Sequence, residues 1–185
     1  MEQFHQSSSF VEICAQFRQI GALLGLKERA EEVISQAEKK VGAVAAATAD
    51  LPRPKVFLQI GSRPLFGAAP DSFTHDFIAL SGAENVIGEQ QHGTVSYEKI
   101  LMKNPEVIII AMMGSESGIA QEEKKKWQGF PIAAVRNDQV HVVSPDLACS
   151  PSPATFAETL SIMASLIHPE LSPPEDTKVS EQEKE

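Results

Sequence analysis

Several residue types that define large protein classes are scarce in this chain of 185 residues. It has two cysteines, Cys14 and Cys149, and neither belongs to a Cys-x-x-Cys motif, so a redox or zinc site of that kind has little support. Lone thiols so far apart are more often buried apolar residues, and a disulfide between them stays an open alternative. No apolar run reaches the roughly 18 residues needed to span a bilayer. The first residues have no basic cluster followed by an apolar run, so no signal peptide is predicted.

Positive charge is also in the minority. The sequence has 16 Lys and Arg against 25 Asp and Glu, which gives a net charge of −9. Because an acidic surface repels phosphate backbones, nucleic-acid binding is not expected. With 42% hydrophobic and 22% charged residues, the composition is that of a soluble globular domain with its own core.

The sequence motifs of nucleotide and catalytic sites are missing as well. The glycine-containing segment 61–70 lacks both the Lys-Ser/Thr pair of a P-loop and the GxGxxG spacing of a dinucleotide site. Ser62, Ser115 and Ser117 do not lie in a GxSxG elbow. The five histidines form no HxH or HxxxH pair. No catalytic residue, metal ligand or cofactor is therefore predicted, and the chain is not expected to be an enzyme.

Two amphipathic helices are predicted at the N-terminus. Apolar residues recur every three to four positions over residues 10–24, and again over residues 26–44. Gly25 lies between the two patterns as a C-cap. Pro52 and Pro54 then end the helical region.

Alternating strands and helices follow, which predicts a parallel sheet covered on both faces. Short apolar runs indicate strands at residues 55–60, 85–87, 107–110 and 139–143. Helices are predicted at residues 72–81, 96–103 and 117–127, the third of them as a polar helix on the surface, and a last helix begins at Pro153. Residues 172–185 are nearly all polar, charged or proline, and a disordered tail is expected there.

Ligands of open parallel sheets bind beyond the carboxyl ends of the strands. The loops at that end are residues 61–70, 88–94, 112–118 and 144–152. Arg63 and Phe66 stand out in the first loop, where Phe66 either stacks on a planar or apolar ligand or packs back into the core. His92 is the best ligand candidate among the histidines. His75 and His141 fall within helix and strand patterns and are interpreted as structural or surface residues.

Glu98 falls in the first turn of a short predicted helix. Its carboxylate either interacts favourably with the helix dipole or acts as a surface anchor for a basic partner. An acid–base pair of Glu98 with Asp146 has no support, because the two are far apart in sequence and only geometry could pair them.

Six segments, taken in order, resemble one known family. They are IGALLGLKERA (20–30), KVFLQIGSRPLFGAAPDSF (55–73), LSGAENVIG (80–88), VSYEKILMKNPEVIII (95–110), the stretch from the tryptophan to the QVHVV strand (127–143) and SPSPATFAETLSIMASLIHPE (150–170). Each is weak alone, but their order and spacing are specific. From about residue 10 to residue 171 the chain resembles the periplasmic binding proteins that serve iron–siderophore, haem and vitamin B12 importers.

The resemblance implies two α/β lobes joined by a rigid helix, with the ligand between the lobes. Residues 1–50 would hold this interlobe helix, matched by the segment 20–30, and a second helix. Residues 51–171 would form the C-terminal lobe, a Rossmann-like open, mostly parallel sheet with helices on both faces, followed by the tail 172–185. An N-terminal lobe and a leader are expected to precede the linking helix, so the chain is expected to be a fragment with half of the cleft.

The resemblance also implies a function: capture of a metal chelate (a siderophore, haem or a corrinoid) and delivery to the permease of an ABC importer. The ligand-binding residues would be Arg63, Phe66, His92, Asp146 and Ser150. Phe66 and His92 match aromatic cleft positions of the vitamin B12-binding members. His92 stands where those members have tryptophan, and Ser150 where they have a basic residue, which favours iron chelates or haem over cobalamin.

Glu98 matches the acidic residue that is expected to pair with permease arginines. The parent protein would be periplasmic, or tethered outside the membrane. Two alternatives stay open. A stand-alone interaction or sensor domain would self-associate through its bared cleft. An α/β enzyme would need a site that the sequence does not reveal.

Overall fold

Seven helices and five strands are present in the described residues, 7–90, 92–112, 118–144 and 151–171, of the computed structural model. The helices are α1 (Phe10–Leu23), α2 (Lys27–Thr48), α3 (Phe73–Leu80), α4 (Tyr97–Lys103), α5 (Ile119–Gln128), α6 (Ala133–Arg136) and α7 (Pro153–Ile167). The strands are β1 (Lys55–Ser62), β2 (Leu65–Gly67), β3 (Glu84–Asn85), β4 (Val107–Ile110) and β5 (Val140–Val142). None of the described helices combines the length and apolarity that crossing a membrane requires.

The five strands form one sheet around β1. Strand β1 pairs in parallel with β3 and β4, and β4 pairs in parallel with β5. Strand β2 turns back antiparallel along the end of β1. Parallel neighbours need crossovers, and the helices between the strands supply them. The predicted α/β fold with an open, mostly parallel sheet is confirmed, and β2 is an added hairpin strand within a segment interpreted as loop.

Alternate residues of the central strands face two different cores. Val56 and Leu58 pack in the first core, with α1, α2, α3 and α7, whereas Phe57 packs in the second, with α4, α5 and α6. All four residues of Val107–Ile110 are buried, because helices cover both faces of the sheet at this strand. The continuous apolar run therefore predicted this strand correctly.

The first core is centred on α7. This helix begins at Pro153, as predicted, and Ser152 and Thr155 form a capping box at its start. The Phe156 ring stacks between Phe10, at 4.7 Å between ring centroids, and Phe77, at 4.5 Å. These rings join helices α1, α3 and α7.

Cys14 lies in the same core as a free thiol, and burial raises its pKa to about 11. The predicted alternative of a disulfide involves Cys149, which lies outside the described residues, as does the segment 172–185.

The segment 20–30 is a helix–turn–helix and not part of one long helix. Helix α1 ends at Leu23, and Gly25 takes a φ of +72° in the turn, a conformation that costs glycine little. The Leu26 amide closes the turn with a hydrogen bond of 2.7 Å to the Gly21 carbonyl. Gly25 therefore ends the first helix as predicted. The segment 20–30 resembles a single linking helix in sequence, but in the structure it contains the turn between two helices.

The predicted apolar faces of α1 and α2 are only partly buried near this turn. Phe10 and Ile13 are buried, but Ile20 is 41%, Leu24 67% and Leu26 55% exposed. Only the first half of α1 contributes buried residues to the core. The spacing predicted the helices correctly, but the burial expected for Ile20, Leu24 and Leu26 was wrong.

Two elements of the second layer differ from the prediction. Helix α6 spans four residues in a stretch for which no secondary structure was predicted. Helix α5 was predicted as a polar surface helix, yet it buries Ala120, Glu123 and Trp127. Their spacing of three and four residues places them on one helix face, directed at the sheet.

Candidate functional site

The first two predicted ligand loops lie side by side at the carboxyl end of the sheet. After β1 the chain turns and returns as β2, and residues 93–95 run along β2. The Gly67 amide donates to the Gly93 carbonyl at 2.8 Å, and the Val95 amide donates to the Leu65 carbonyl at 3.0 Å. The loops that carry Phe66 and His92 are therefore parts of one surface.

Phe66 is half-buried at this surface, with its ring against Gly93. A Cβ atom built on Gly93 would lie 2.6 Å from two carbons of the Phe66 ring and 2.5 Å from the Gly67 carbonyl oxygen. Real side chains do not tolerate such distances. Glycine at position 93 therefore leaves room for the Phe66 ring to contact the second loop.

Replacing Gly93 with alanine should displace the Phe66 ring and lower the free energy of unfolding by about 1–3 kcal/mol, because the added methyl group would overpack the site. Ring-proton NMR shifts and urea denaturation measure the two effects. Gly42→Ala is the matched control, since nothing lies within 4 Å of a Cβ atom there. In mid-helix this control should be neutral or stabilising, by up to about 1 kcal/mol. An unmoved Phe66 ring in Gly93→Ala would contradict the packing described here.

Arg63 and His92 are exposed at the same end of the molecule. Arg63 precedes Pro64 through a cis peptide bond in the turn between β1 and β2. The positive charge of Arg63 acts on the Tyr97 hydroxyl. Burial and a hydrogen bond to Glu123 raise the pKa of Tyr97 far above its usual range, and the Arg63 charge opposes them.

A polar cluster lies directly beneath the first loop, around Gln59 of β1, which is fully buried. The Gln59 amide nitrogen donates to the Gly61 carbonyl at 3.2 Å and to Glu123 Oε2 at 3.0 Å. Its carbonyl oxygen accepts from Trp127 Nε1 at 2.7 Å. The Tyr97 hydroxyl donates to the same Glu123 Oε2 at 2.5 Å. Four side chains from three elements are thus joined in one hydrogen-bonded cluster.

Sequence reasoning missed this cluster, although it left a signal. Gln59 is a polar residue inside an otherwise apolar strand, and a buried amide needs partners. Glu123 stands four residues before Trp127 on one helix face. Both positions therefore indicated a buried polar contact, but the contact with Tyr97 could be seen only in the folded structure.

Glu98 lies at the surface in the first turn of α4. Its own backbone N–H and the Ser96 hydroxyl donate to the carboxylate and lower the pKa of Glu98. Ser96 also caps the helix by accepting from the Lys99 amide at 3.3 Å. The carboxylate is therefore held in its charged form at the surface, next in sequence to Tyr97 of the buried cluster.

Two of the remaining histidines make contacts within the fold, and two predicted ligand residues lie outside the described parts of the chain. His75 Nδ1 lies 3.1 Å from Asn85 Nδ2, and His141 Nε2 lies 2.9 Å from Gln139 Oε1, so both rings have partners within the fold. Burial lowers the pKa of His141. Asp146 and Ser150 are outside the described residues. Among the residues that are described, no three His, Cys, Asp or Glu side chains come together as a metal site.

Comparison with known proteins identifies relatives of the chain. The family described as periplasmic binding protein matches residues 3–147. The vitamin B12-binding protein of Salmonella choleraesuis strain SC-B67 is 27% identical over 139 residues, which cover 74% of this chain and 52% of that protein. The chain therefore spans about half the length of the curated relatives it matches.

Solved structures share the fold. A periplasmic binding protein from Veillonella parvula is 26% identical, with a TM-score of 0.75, over 87% of this chain and 57% of that one. The S. aureus protein IsdE, solved in complex with haem, is 20% identical, with a TM-score of 0.77, over 91% of this chain and 69% of that one. The second likeness is informative about the fold alone.

Proposed function

Because the chain belongs to the periplasmic binding protein family, we propose that it forms one ligand-binding lobe of a protein that delivers a metal chelate to an ABC importer. The family is one of binding proteins and not of enzymes. The observation that carries the proposal is the family match over residues 3–147, on a fold whose first two ligand loops form one surface. A second lobe would supply the opposite wall of the cleft.

The proposed ligand is an iron chelate (a siderophore or haem) or a corrinoid. Half-buried Phe66 offers an aromatic face to a planar ligand, and exposed Arg63 offers a positive charge to acidic groups of the chelate. His92 extends the same surface. Asp146 and Ser150 are proposed as further contacts, from the last loop. The chelate is the cargo, and no further cofactor is proposed.

The proposed partner is the permease of the importer, and the proposed docking residue is Glu98. Its exposed, ionised carboxylate suits a basic group of the partner. The proposed location, which delivery to a permease requires, is the periplasm or the outer side of the membrane that holds the importer.

Titration of the folded chain with haem, a ferric hydroxamate siderophore and cobalamin tests the ligand proposal. Calorimetry gives the affinity, and the emission of Trp127, the single tryptophan, reports on the region beneath the loops. We expect micromolar or tighter binding of one of the three, weakened at least about tenfold by Phe66→Ala, because a stacked aromatic contact is lost. Met102→Ala, a change at an exposed residue of α4 outside the ligand loops, is the control. Failure of all three to bind a folded chain would contradict ligand binding by this lobe.

A further inference from the structure

We propose that Glu123 is a positioning residue that ties the loop after β1 to the start of helix α4, so that these two parts respond to each other. This inference rests on the proposed function, which assigns ligand binding to the loop and permease docking to Glu98. Glu123 itself is not proposed to contact the ligand or the permease. It acts through the side chains that its carboxylate holds.

One side of the connection runs from Glu123 to the loop. The Gln59 amide nitrogen donates both to Glu123 Oε2, at 3.0 Å, and to the Gly61 carbonyl, at 3.2 Å. Gly61 stands two residues before Arg63. Movement of the backbone at Gly61, near the end of β1 where the loop begins, therefore changes a hydrogen bond of the same amide group that contacts Glu123.

The orientation of this amide is fixed. Trp127 Nε1 is a donor only, and it lies 2.7 Å from Gln59 Oε1. The Gln59 oxygen must accept from the indole, so its NH₂ group faces Glu123 and Gly61. The connection from the loop to Glu123 is thus defined by the hydrogen-bonding chemistry of both partners.

The other side of the connection runs from Glu123 to α4. The Tyr97 hydroxyl donates to Glu123 Oε2 at 2.5 Å, and Tyr97 is the first residue of α4 and the neighbour of Glu98. One carboxylate oxygen therefore accepts from both sides. Glu123 is 8% and Gln59 0% exposed, so water cannot easily replace either bond.

Lys126 places a positive charge near the Glu123 carboxylate and over the Tyr97 ring. Its ammonium nitrogen lies 4.0 Å from Glu123 Oε1 and 3.7 Å from the centroid of the Tyr97 ring. The Tyr97 and Trp127 rings are 4.9 Å apart. These contacts hold the phenol in place, so that the hydroxyl can be removed without removing the ring.

Hydrogen exchange in the full chain tests the connection without any ligand. Tyr97→Phe keeps the ring contacts and deletes only the bond to Glu123. We expect amide exchange in residues 61–65, on the far side of Glu123, to accelerate at least about tenfold, as befits the loss of a hydrogen bond to a charged group. Glu123→Gln should accelerate exchange both there and at the start of α4.

Glu122→Gln, one residue away on the exposed side of α5, makes the same change of charge and should alter neither segment. Exchange that changes only in α4 and α5 after Tyr97→Phe, with residues 61–65 unchanged, would overturn the proposal. So would a uniform acceleration that includes the core strand β4, because that would indicate a general loss of stability. Since no ligand is used, a failure of the titration above would count against the proposed function and not against this coupling.

Discussion

Replacing Phe156 with alanine should lower the free energy of unfolding by about 3–5 kcal/mol, the range for a fully buried aromatic residue. Phe156 has no exposed surface and stacks on Phe10 and Phe77. The change would leave a cavity between three helices that meet at this ring. Since Phe10 lies in α1, the N-terminal helix should lose much of its attachment to the lobe.

Urea denaturation followed by far-UV circular dichroism measures this loss. Met102→Ala is the control, because Met102 is 80% exposed and its truncation should change stability by less than about 0.5 kcal/mol. Phe156→Leu should fall between the two, as it keeps part of the buried volume. A loss in Phe156→Ala as small as that of the control would mean that the stacked rings do not join α1 to the rest of the protein.

Replacing Glu98 with alanine should weaken docking to the permease at least about tenfold, as expected when one partner of an interfacial charge pair is removed. Ligand affinity should stay unchanged, because Glu98 is exposed on α4 and is not part of the loop surface. Docking and transport are measured in the complete importer reconstituted in vesicles, and ligand affinity by calorimetry.

Glu122→Ala is the matched control for this change, since Glu122 is an exposed glutamate in the first turn of the neighbouring helix α5. Equal losses of docking and ligand affinity in Glu98→Ala would contradict a docking role. Docking should also weaken as salt is added, because the interaction depends on charge.

The pH dependence of docking follows from the lowered pKa of Glu98. A carboxyl group whose pKa is lowered by the fold is charged at every pH above its usual value, and it loses the charge only as the pH falls through the lowered value. Between pH 7 and about pH 5, acidification should therefore leave the contribution of Glu98 to docking unchanged.

Apolar spacing predicted the longer elements well. Helices expected at residues 72–81 and 96–103 occur as Phe73–Leu80 and Tyr97–Lys103, and α7 begins at the predicted Pro153. Helices α3 and α7 each bury a stripe of residues on one face, which is the property that spacing detects, whereas α4 buries Ile100. Strand Val107–Ile110 was equally clear, because burial on both faces leaves no polar residue in it.

Short elements could not be predicted in this way. Strand β2 has three residues, less than two periods of the strand pattern, and helix α6 has four, less than two periods of the helix pattern. Strand β2 forms because β1, its neighbour in sequence, and residues 93–95, which are distant in sequence, both pair with it. The exposure of Leu24 likewise depends on which elements pack near the turn, and local spacing does not contain that information.

The candidate site was predicted at the level of loops but not of side-chain contacts. The rule for open sheets placed Arg63, Phe66 and His92 at one end of the molecule, as the structure has them. Their roles as ligand contacts stay predictions, as do those of Asp146 and Ser150. The cluster beneath them could not be derived, because Gln59 and Glu123 are 64 residues apart and meet only through the fold.

The turn between α1 and α2 has a practical consequence for handling the protein. Four large apolar side chains are exposed within seven residues of this acidic chain: Ile20, Leu23, Leu24 and Leu26. In dilute solution the net charge of −9 keeps molecules apart. In concentrated stocks or at high salt that repulsion is screened, and we expect self-association to begin at these exposed apolar residues. Low-salt buffers, or a Leu24→Lys substitution, should therefore extend the concentration range in which the protein can be stored.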